Sequence, residues 1–395
     1  MMQDSEAQPK VFFYVQHLLG IGHLARASRI AEALVENGFD VTVVTGGTPV
    51  AGFPGPGVRH VALPTIRAGD AGFKGLIDEI GRPVDEAFEA RRRETLLAAF
   101  RAAAPDIVVI EAFPFGRRQV RFELMPLLAE IRAMAQRPLL VTSLRDILQE
   151  RSKPGRDEET VTLVRDNFDR VLVHGDPAFA RLEETFPLAA EIADKIVYTG
   201  IVAPPAPPPS EERFDIVVSA GGGAVGRDLI GAAQATARNL REYRWCILTG
   251  PNLPQADFEA FAAATSENVH LFRFRRDFAS LLSGARLSVS QAGYNTVCDV
   301  LRAGCRSLLI PFTAGGETEQ SMRAERLERL GLAMVLPEPR LDAARMESMI
   351  RQALAAAPAA PIAPLNLDGA RRSAEILRGL LQALPRREQF RQFLR

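Results

Sequence analysis

The chain has little lysine, few cysteines and no net charge. The lack of net charge and of cysteine limits the binding partners and the cellular compartment that we expect. Against 48 acidic residues stand 48 basic ones, so no overall field draws it to nucleic acid or to an anionic membrane. Three cysteines show no metal-ligand spacing, which predicts a reduced, cytoplasmic protein. The basic residues are almost all arginine, and the lysines are Lys10, Lys74, Lys153 and Lys195.

Three kinds of segment are missing from the sequence. No run of 18 apolar residues occurs, so we expect no membrane span, and any membrane contact would be peripheral, on the inner face. Met1 to Lys10 is polar and lacks an apolar core, so we expect no signal peptide. No Asp-x-Asp motif occurs either, and this is the carboxylate pair that would hold a divalent metal beside a sugar nucleotide. We therefore expect no metal and no other cofactor.

Strand-like apolar runs alternate with amphipathic segments along all 395 residues. This alternation predicts an α/β protein with two doubly wound, Rossmann-like parallel sheets facing each other across a cleft. The predicted strands of the first half are Val11–Val15, Val41–Thr45, Arg59–Leu63, Asp106–Ile110, Leu139–Ser143, Val171–His174 and Ile196–Thr199. Those of the second half are Asp215–Ser219, Arg244–Thr249, Val269–Phe274, Leu287–Ser290, Ser307–Phe312 and Met334–Leu336.

Five prolines between Val202 and Ser210 interrupt the alternation and predict a semi-rigid linker. We therefore expect a first domain over residues 1–203, a linker over 204–212 and a second domain over 213–367. The amphipathic, arginine-rich segment 368–395 is expected to pack back on the first domain.

A glycine-rich turn follows the first predicted strand of the second domain. Ser219, Gly221, Gly222 and Gly223 precede a helix predicted to begin at Arg227. Successive glycines let backbone amides approach a pyrophosphate, and a helix N-terminus favours its negative charge. A plain tight turn needs one glycine, so this loop is the first candidate phosphate site.

A second pattern of this kind lies further along the second domain. Gly293, Asn295 and Thr296 open a helix after one strand, and Asp299 follows one turn later. After the next strand another helix carries the neighbouring pair Glu319–Gln320. Amides at the helix starts suit a diphosphate, and carboxylate and amide side chains suit ribose and hexose hydroxyls. The combination predicts a site for a sugar nucleotide, with Arg275 in the loop where the base would stack.

The first domain carries the candidate catalytic residues. Gly20-Ile21-Gly22-His23 follows the first strand, but Val43–Thr48 holds no acid at the end of the second strand, which argues against NAD or FAD. Gly22 is expected to contact the donor. The helix dipole would keep His23 neutral and able to accept a proton from an acceptor hydroxyl, although a histidine that merely caps the helix is the alternative. Glu111, at the end of another strand, opens a predicted exposed acceptor loop that runs to Arg118. The alternative is that Phe113 and Phe115 pin this loop to the sheet.

These motifs together resemble the GT-B superfamily and, within it, MurG-like members of glycosyltransferase family 28. The resemblance is strong in the second domain and loose in the first. It implies an inverting, metal-independent transfer from a UDP-sugar, with Asp299 on the ribose, Glu319–Gln320 on the sugar and Gly221 to Gly223 on the diphosphate. Asp299 stands where the family usually has glutamate, and Glu111–Arg118 replaces a glycine-rich acceptor loop, so a different acceptor is expected.

The residues leave other readings open. The acceptor is expected to be a small molecule, a glycan or a lipid-linked sugar. One alternative is a UDP-N-acetylglucosamine 2-epimerase-like enzyme of the same fold, which would need more acid–base groups around the sugar. The other is a non-catalytic nucleotide-sugar-binding protein, which the polar residues at the strand ends disfavour.

Overall fold

The structure is a computed structural model that describes residues 8–18, 22–69, 72–149, 154–221, 226–314, 317–356 and 364–383. The strands are β1 (Lys10–Val15), β2 (Asp40–Thr45), β3 (Arg59–Ala62), β4 (Arg67–Gly69), β5 (Gly72–Ile77), β6 (Ile107–Glu111), β7 (Leu139–Arg145), β8 (Arg170–His174), β9 (Ile196–Tyr198), β10 (Ile216–Ser219), β11 (Trp245–Leu248), β12 (Val269–Phe272), β13 (Leu287–Ser290), β14 (Ser307–Leu309) and β15 (Met334–Val335).

The α-helices alternate with these strands. They are α1 (Gly22–Glu36), α2 (Glu86–Ala103), α3 (Arg121–Ala133), α4 (Arg156–Asn167), α5 (Arg227–Asn239), α6 (Gln255–Ala263), α7 (Phe278–Gly284), α8 (Tyr294–Ala303), α9 (Glu319–Arg329), α10 (Ala343–Ala355) and α11 (Gly369–Ala383). No helix in the described ranges is both long and apolar enough to cross a membrane.

Two parallel sheets organise the chain. The first has seven strands in the order β3-β2-β1-β6-β7-β8-β9, and the second has six in the order β12-β11-β10-β13-β14-β15. The central strands are buried along nearly their whole length because helices cover both faces, which explains their continuous runs of Val and Ile. The predicted fold class, two Rossmann-like parallel-sheet domains, is confirmed.

Each sheet has one point where the strand order reverses. In the first sheet this point lies between β1 and β6, and in the second it lies between β10 and β13. Ligands of open α/β sheets bind outside the carboxyl ends of the strands at such a point. The segments that follow these four strands are those that the sequence singles out, beginning after Val15, Glu111, Ser219 and Ser290.

The C-terminal helix α11 belongs to the core of the first domain. Ala374 and Leu377 are fully buried among side chains of α1 and the first sheet, and Val202 forms an isolated antiparallel bridge with Asp368. The chain therefore crosses to the second sheet and returns to the first. The domain and linker boundaries stay predictions.

The segment after Glu111 differs from its prediction as an exposed loop. Phe113 and Phe115 are 1% and 6% exposed, and Phe115 packs edge to face on Phe186 with ring centroids 5.1 Å apart. Two aromatic rings bury enough apolar area to fix the loop to the core. The structure therefore agrees with the alternative, in which Phe113 and Phe115 pin the loop, and the prediction of an exposed loop is wrong. Ala112 and Arg117 both adopt left-handed backbone conformations, with φ of 62° and 57°.

Candidate active site

His23 and Glu111 form a hydrogen-bonded pair at the switch point of the first sheet. His23 lies in the first turn of α1, and Glu111 is the last residue of β6, so both follow carboxyl ends of neighbouring strands. The distance from Nδ1 of His23 to Oε1 of Glu111 is 2.6 Å. Because a carboxylate only accepts, Nδ1 carries the proton and Nε2 is left with a lone pair.

The surroundings keep this pair in the neutral-imidazole, ionised-carboxylate state. Burial lowers the pKa of His23 to about 4, although the Glu111 carboxylate acts in the opposite direction. Burial alone would raise the pKa of Glu111, but His23, Arg26 and Arg117 together outweigh it and lower that pKa to about 2. At neutral pH the imidazole is therefore free to accept a proton at Nε2.

Arg26 lies one helical turn beyond His23 and joins the pair to the second domain. Its guanidinium donates to Oε1 of Glu111, and it lies 5.5 Å from the centre of the Tyr294 ring. Arg323, from α9, lies on the same ring at 5.6 Å. The Tyr294 hydroxyl donates to the backbone oxygen of His174 and accepts from the N–H of Val202. Tyr294 thus fixes the start of α8 against the first domain.

The start of α8 also meets the start of α1. Nδ2 of Asn295 donates to the backbone oxygen of Gly22 at 3.4 Å, and a Cβ on Gly22 would lie 3.3 Å from that same nitrogen. Oδ1 of Asn295 is buried and has no hydrogen-bond partner. Two helix N-termini therefore converge beside His23, and their combined dipoles favour a negatively charged ligand.

Glu319 and Gln320 are the first two residues of α9. Glu319 is 5% exposed and pairs with Arg145 and Arg323, which together outweigh burial and hold its pKa below the usual range. Oε1 of Gln320 accepts from the N–H groups of Ala292 and Phe312, each at 3.1 Å. Gln320 therefore holds together the loops that follow β13 and β14.

The glycine-rich loop after β10 lies beside the second switch point. Ser219 pairs in register with Ser290 of β13, and its hydroxyl accepts from the N–H of Gly221 at 3.3 Å. Gly226 packs so tightly on Ala220 that a Cβ there would clash with the Ala220 Cβ. Gly222 and Gly223 lie outside the described residues.

Three other predicted donor residues lie on α8 and in the loop after β12. Asp299 faces α1, where Arg29 is 3.3 Å away, and burial raises its pKa to about 6 although Arg29 lowers it. Arg275, after β12, pairs with Glu212 and Asp277. Thr296 is half-buried in the first turn of α8. The proposed ribose and base contacts stay predictions.

Sequence reasoning missed the arginines of the site, although helical spacing pointed to them. Arg26 is three residues after His23, and Arg323 is four after Glu319, so each pair shares a helix face. Arg323 is 1% exposed and donates to both carboxylate oxygens of Asp146, at 2.9 and 3.3 Å, across the domain boundary. In the part of the chain that the structure describes, no three metal-ligating side chains group together.

Comparison with known proteins identifies the second domain. Residues 216–365 match the sequence model of the glycosyltransferase family 28 C-terminal domain. Because of this similarity, residues 216–365 are called the family 28 domain. The match begins at β10 and includes the loops after β10, β13 and β14, so the candidate donor residues from Ser219 to Gln320 belong to the family 28 domain. The resemblance found in the sequence is confirmed for this part of the chain.

Curated relatives match over limited stretches. The chain is 30% identical over 184 residues to the UDP-N-acetylglucosamine--N-acetylmuramyl-(pentapeptide) pyrophosphoryl-undecaprenol N-acetylglucosamine transferase of Gloeobacter violaceus, covering 44% of this chain and 49% of the relative. It is 38% identical over 91 residues to the enzyme of that name from Aromatoleum aromaticum, covering 23% of this chain and 25% of the relative. The chain thus spans half or less of these relatives' lengths.

Solved structures resemble the whole chain, not the family 28 domain alone. The calicheamicin glycosyltransferase CalG4 superimposes with a TM-score of 0.64 at 18% identity, covering 96% of this chain and 100% of that one. MurG of Acinetobacter baumannii superimposes with a TM-score of 0.59 at 14% identity, covering 94% and 100%. At these identities the likeness establishes the fold, which is GT-B.

Proposed function

We propose that this chain is an inverting, metal-independent glycosyltransferase that moves a hexose or N-acetylhexosamine from a UDP-sugar to a hydroxyl group of an acceptor. The observation that carries the proposal is the position of the His23–Glu111 pair. It lies at the switch point of the first sheet and directly beside the start of α8 in the family 28 domain. A base from one domain thereby faces the donor-binding elements of the other.

The donor diphosphate would be bound by backbone amides and helix dipoles. The helices α5 and α8 begin after Gly226 and Gly293, neither of which has a side chain to cap the first turn. First-turn N–H groups without a cap are free to donate hydrogen bonds to phosphate oxygens. They would stabilise the negative charge that develops on the leaving diphosphate. This arrangement needs no metal ion, which supports the metal-independent reaction.

The acceptor would be activated by His23. The acceptor hydroxyl gives its proton to Nε2 of His23 while its oxygen attacks the anomeric carbon, and the bond from that carbon to the diphosphate oxygen breaks. UDP leaves with the bonding electron pair. Attack from the face opposite the leaving group inverts the anomeric configuration. Glu111 holds the imidazole through Nδ1 and stabilises the imidazolium that forms, as carboxylates do in related triads.

The names of the relatives support the donor class. The curated relatives are named as enzymes that transfer N-acetylglucosamine from UDP-N-acetylglucosamine, so this sugar nucleotide is our first proposed donor. VinC, a glycosyltransferase solved with dTDP, superimposes with a TM-score of 0.58 at 16% identity, so TDP-sugars belong in the test. We also propose a cytoplasmic enzyme whose membrane contact is peripheral, since the names of the curated relatives include a lipid, undecaprenol.

A ligand panel followed by product analysis tests the proposal. UDP-, GDP- and TDP-sugars would be compared by thermal shift, because a ligand at 100 times its Kd stabilises the protein by about 2.7 kcal/mol. The purified protein would then be incubated with UDP-hexoses alone. Slow release of UDP supports the transferase, an epimerised sugar supports the 2-epimerase-like alternative, and binding without turnover supports a non-catalytic protein. Absence of binding to every UDP-sugar would contradict the proposal.

A further inference from the structure

The charged groups around the His23–Glu111 pair do not balance. Each of three carboxylates is matched by an arginine: Glu111 with Arg26, Glu319 with Arg145, and Asp146 with Arg323. Arg117 is the fourth guanidinium of this group, and it forms no ion pair or hydrogen bond with any residue that the structure describes. The cluster therefore carries one positive charge in excess.

Arg117 belongs to the active-site environment. It lies in the loop that begins at Glu111, and its positive charge lowers the pKa of His17, His23 and Glu111. Its Nε is buried without a hydrogen-bond partner. Burying an arginine nitrogen without a hydrogen-bond acceptor costs free energy. A ligand that supplies the acceptor would therefore bind favourably.

The backbone holds Arg117 in place at some cost. Its φ and ψ are 57° and 32°, a left-handed conformation that arginine rarely adopts, and Ala112 at the other end of the loop has φ of 62°. Such conformations persist where surrounding structure enforces them, and they concentrate at ligand-binding sites. Phe113 and Phe115, both buried, supply that enforcement.

We propose that Arg117 binds an anionic group of the acceptor, a carboxylate or a phosphoryl group, close to the hydroxyl that His23 activates. A guanidinium offers paired N–H donors that match two oxygens of either group. The inference rests on the proposed transferase function, since it assigns the first-domain side of that site to the acceptor. The neighbouring Arg118 is a matched control because it already pairs with Glu159, away from the cluster.

Binding of small anions separates Arg117 from Arg118. With UDP saturating the donor side, glucuronate and glycerol 1-phosphate would be titrated by ligand-observed NMR beside their neutral counterparts, glucose and glycerol. We expect wild type to bind at least one anion more tightly than its neutral counterpart. We expect Arg117→Gln to raise that Kd roughly tenfold or more, and Arg118→Gln to leave it unchanged. The preferred anion tells a carboxylate-bearing acceptor from a phosphorylated one.

Two results would overturn the inference: no preference of wild type for either anion over its neutral counterpart, or equal anion binding by wild type and Arg117→Gln. Arg117→Lys keeps the charge but loses the paired donors, so intermediate affinity is expected, and this variant decides the matter if Arg117→Gln does not fold. UDP binding and UDP-hexose hydrolysis would be recorded on the same samples. If wild type neither binds UDP nor hydrolyses UDP-hexose, the proposed function is contradicted. The comparison of anion binding between wild type and the Arg117 variants can still be made.

Discussion

At the scale of single residues, the site depends on a histidine whose basicity is set by burial. His23 is part-exposed, with 24% of its side chain accessible, whereas the Glu111 side chain beside it is 1% exposed. The buried carboxylate fixes which ring nitrogen carries the proton, and the exposed edge of the ring is left for chemistry. This division of roles suits a general base that must be unprotonated before each turnover.

The pH dependence of turnover follows from this arrangement. Because burial lowers the pKa of His23 to about 4, the imidazole stays neutral from neutral pH down to that value. We expect kcat/KM for UDP-hexose turnover to fall as pH drops through about 4, and not near the usual histidine pKa of about 6.5. The measurement is a pH–rate profile, with circular dichroism recorded at each pH to exclude unfolding.

The pH–rate profile of a Glu111 variant is the comparison for the wild-type profile. The Glu111 carboxylate raises the pKa of His23, so Glu111→Gln should move the acidic limb to lower pH while turnover falls. An acidic limb between pH 6 and 7 in wild type would contradict the role assigned to His23.

The sequence predicted both members of this pair but not their contact. His23 was chosen because it opens a helix beside glycines, and Glu111 because it ends a strand. They lie 88 residues apart in sequence and meet only because β1 and β6 are neighbours in the sheet. Periodicity predicts which segments are strands, but it does not give the order of strands in a sheet, so this hydrogen bond had no local signal.

At the scale of secondary-structure elements, long periodic segments were predicted best. The bounds of the helix Glu86–Ala103 follow from the sequence, because an Asp85 cap precedes it and Pro105 comes after its end. The short hairpin of β4 and β5 was not predicted, since three- and six-residue strands rich in glycine carry little alternation. The helix α4 also carries little periodic signal, because it buries only Thr160, Val161 and Val164.

The helix α5 offers a test of how the glycine-rich loop is held. Gly226 caps α5 against Ala220, with no space for a Cβ. We expect Gly226→Ala to lower the free energy of unfolding by about 1–3 kcal/mol, the usual cost of overpacking, and to weaken binding of UDP by displacing the loop. Urea unfolding and calorimetry with UDP measure the two effects.

Gly231, in the interior of the same helix, is the control. A Cβ there would lie 3.9 Å from the Phe261 ring, an ordinary contact. Because alanine is the better helix former, Gly231→Ala should stabilise the protein by about 0.5–1 kcal/mol and leave UDP binding unchanged. Equal effects of the two substitutions would contradict the packing role of Gly226.

At the scale of the whole molecule, buried charges join the two domains. Arg323 of the family 28 domain bonds Asp146 of the first domain, and both side chains are at most 2% exposed. Arg326 and Glu184 also pair across the boundary, but the Glu184 side chain is 45% exposed. A buried pair that loses one partner leaves an uncompensated charge, whereas an exposed pair contributes little.

The two interdomain pairs should therefore respond differently to neutralisation. We expect Asp146→Asn to lower the free energy of unfolding by about 3 kcal/mol, the lower end of the usual range, because Glu319 still accepts from Arg323. Glu184→Gln should cost less than about 1 kcal/mol. Denaturant unfolding of both variants measures the difference, and a similar small loss in each would show that the buried pair does not hold the domains together.

The central claim, that His23 is the base of a metal-independent sugar transfer, is tested most directly by UDP release from a UDP-hexose in the presence of EDTA. Wild type should release UDP at the same rate with and without the chelator. His23→Ala should lower turnover by roughly 10²–10⁴-fold and bind the donor with nearly unchanged affinity, because His23 belongs to the domain opposite the donor loops. Full turnover in His23→Ala, or turnover that EDTA abolishes and magnesium or manganese restores, would contradict the account.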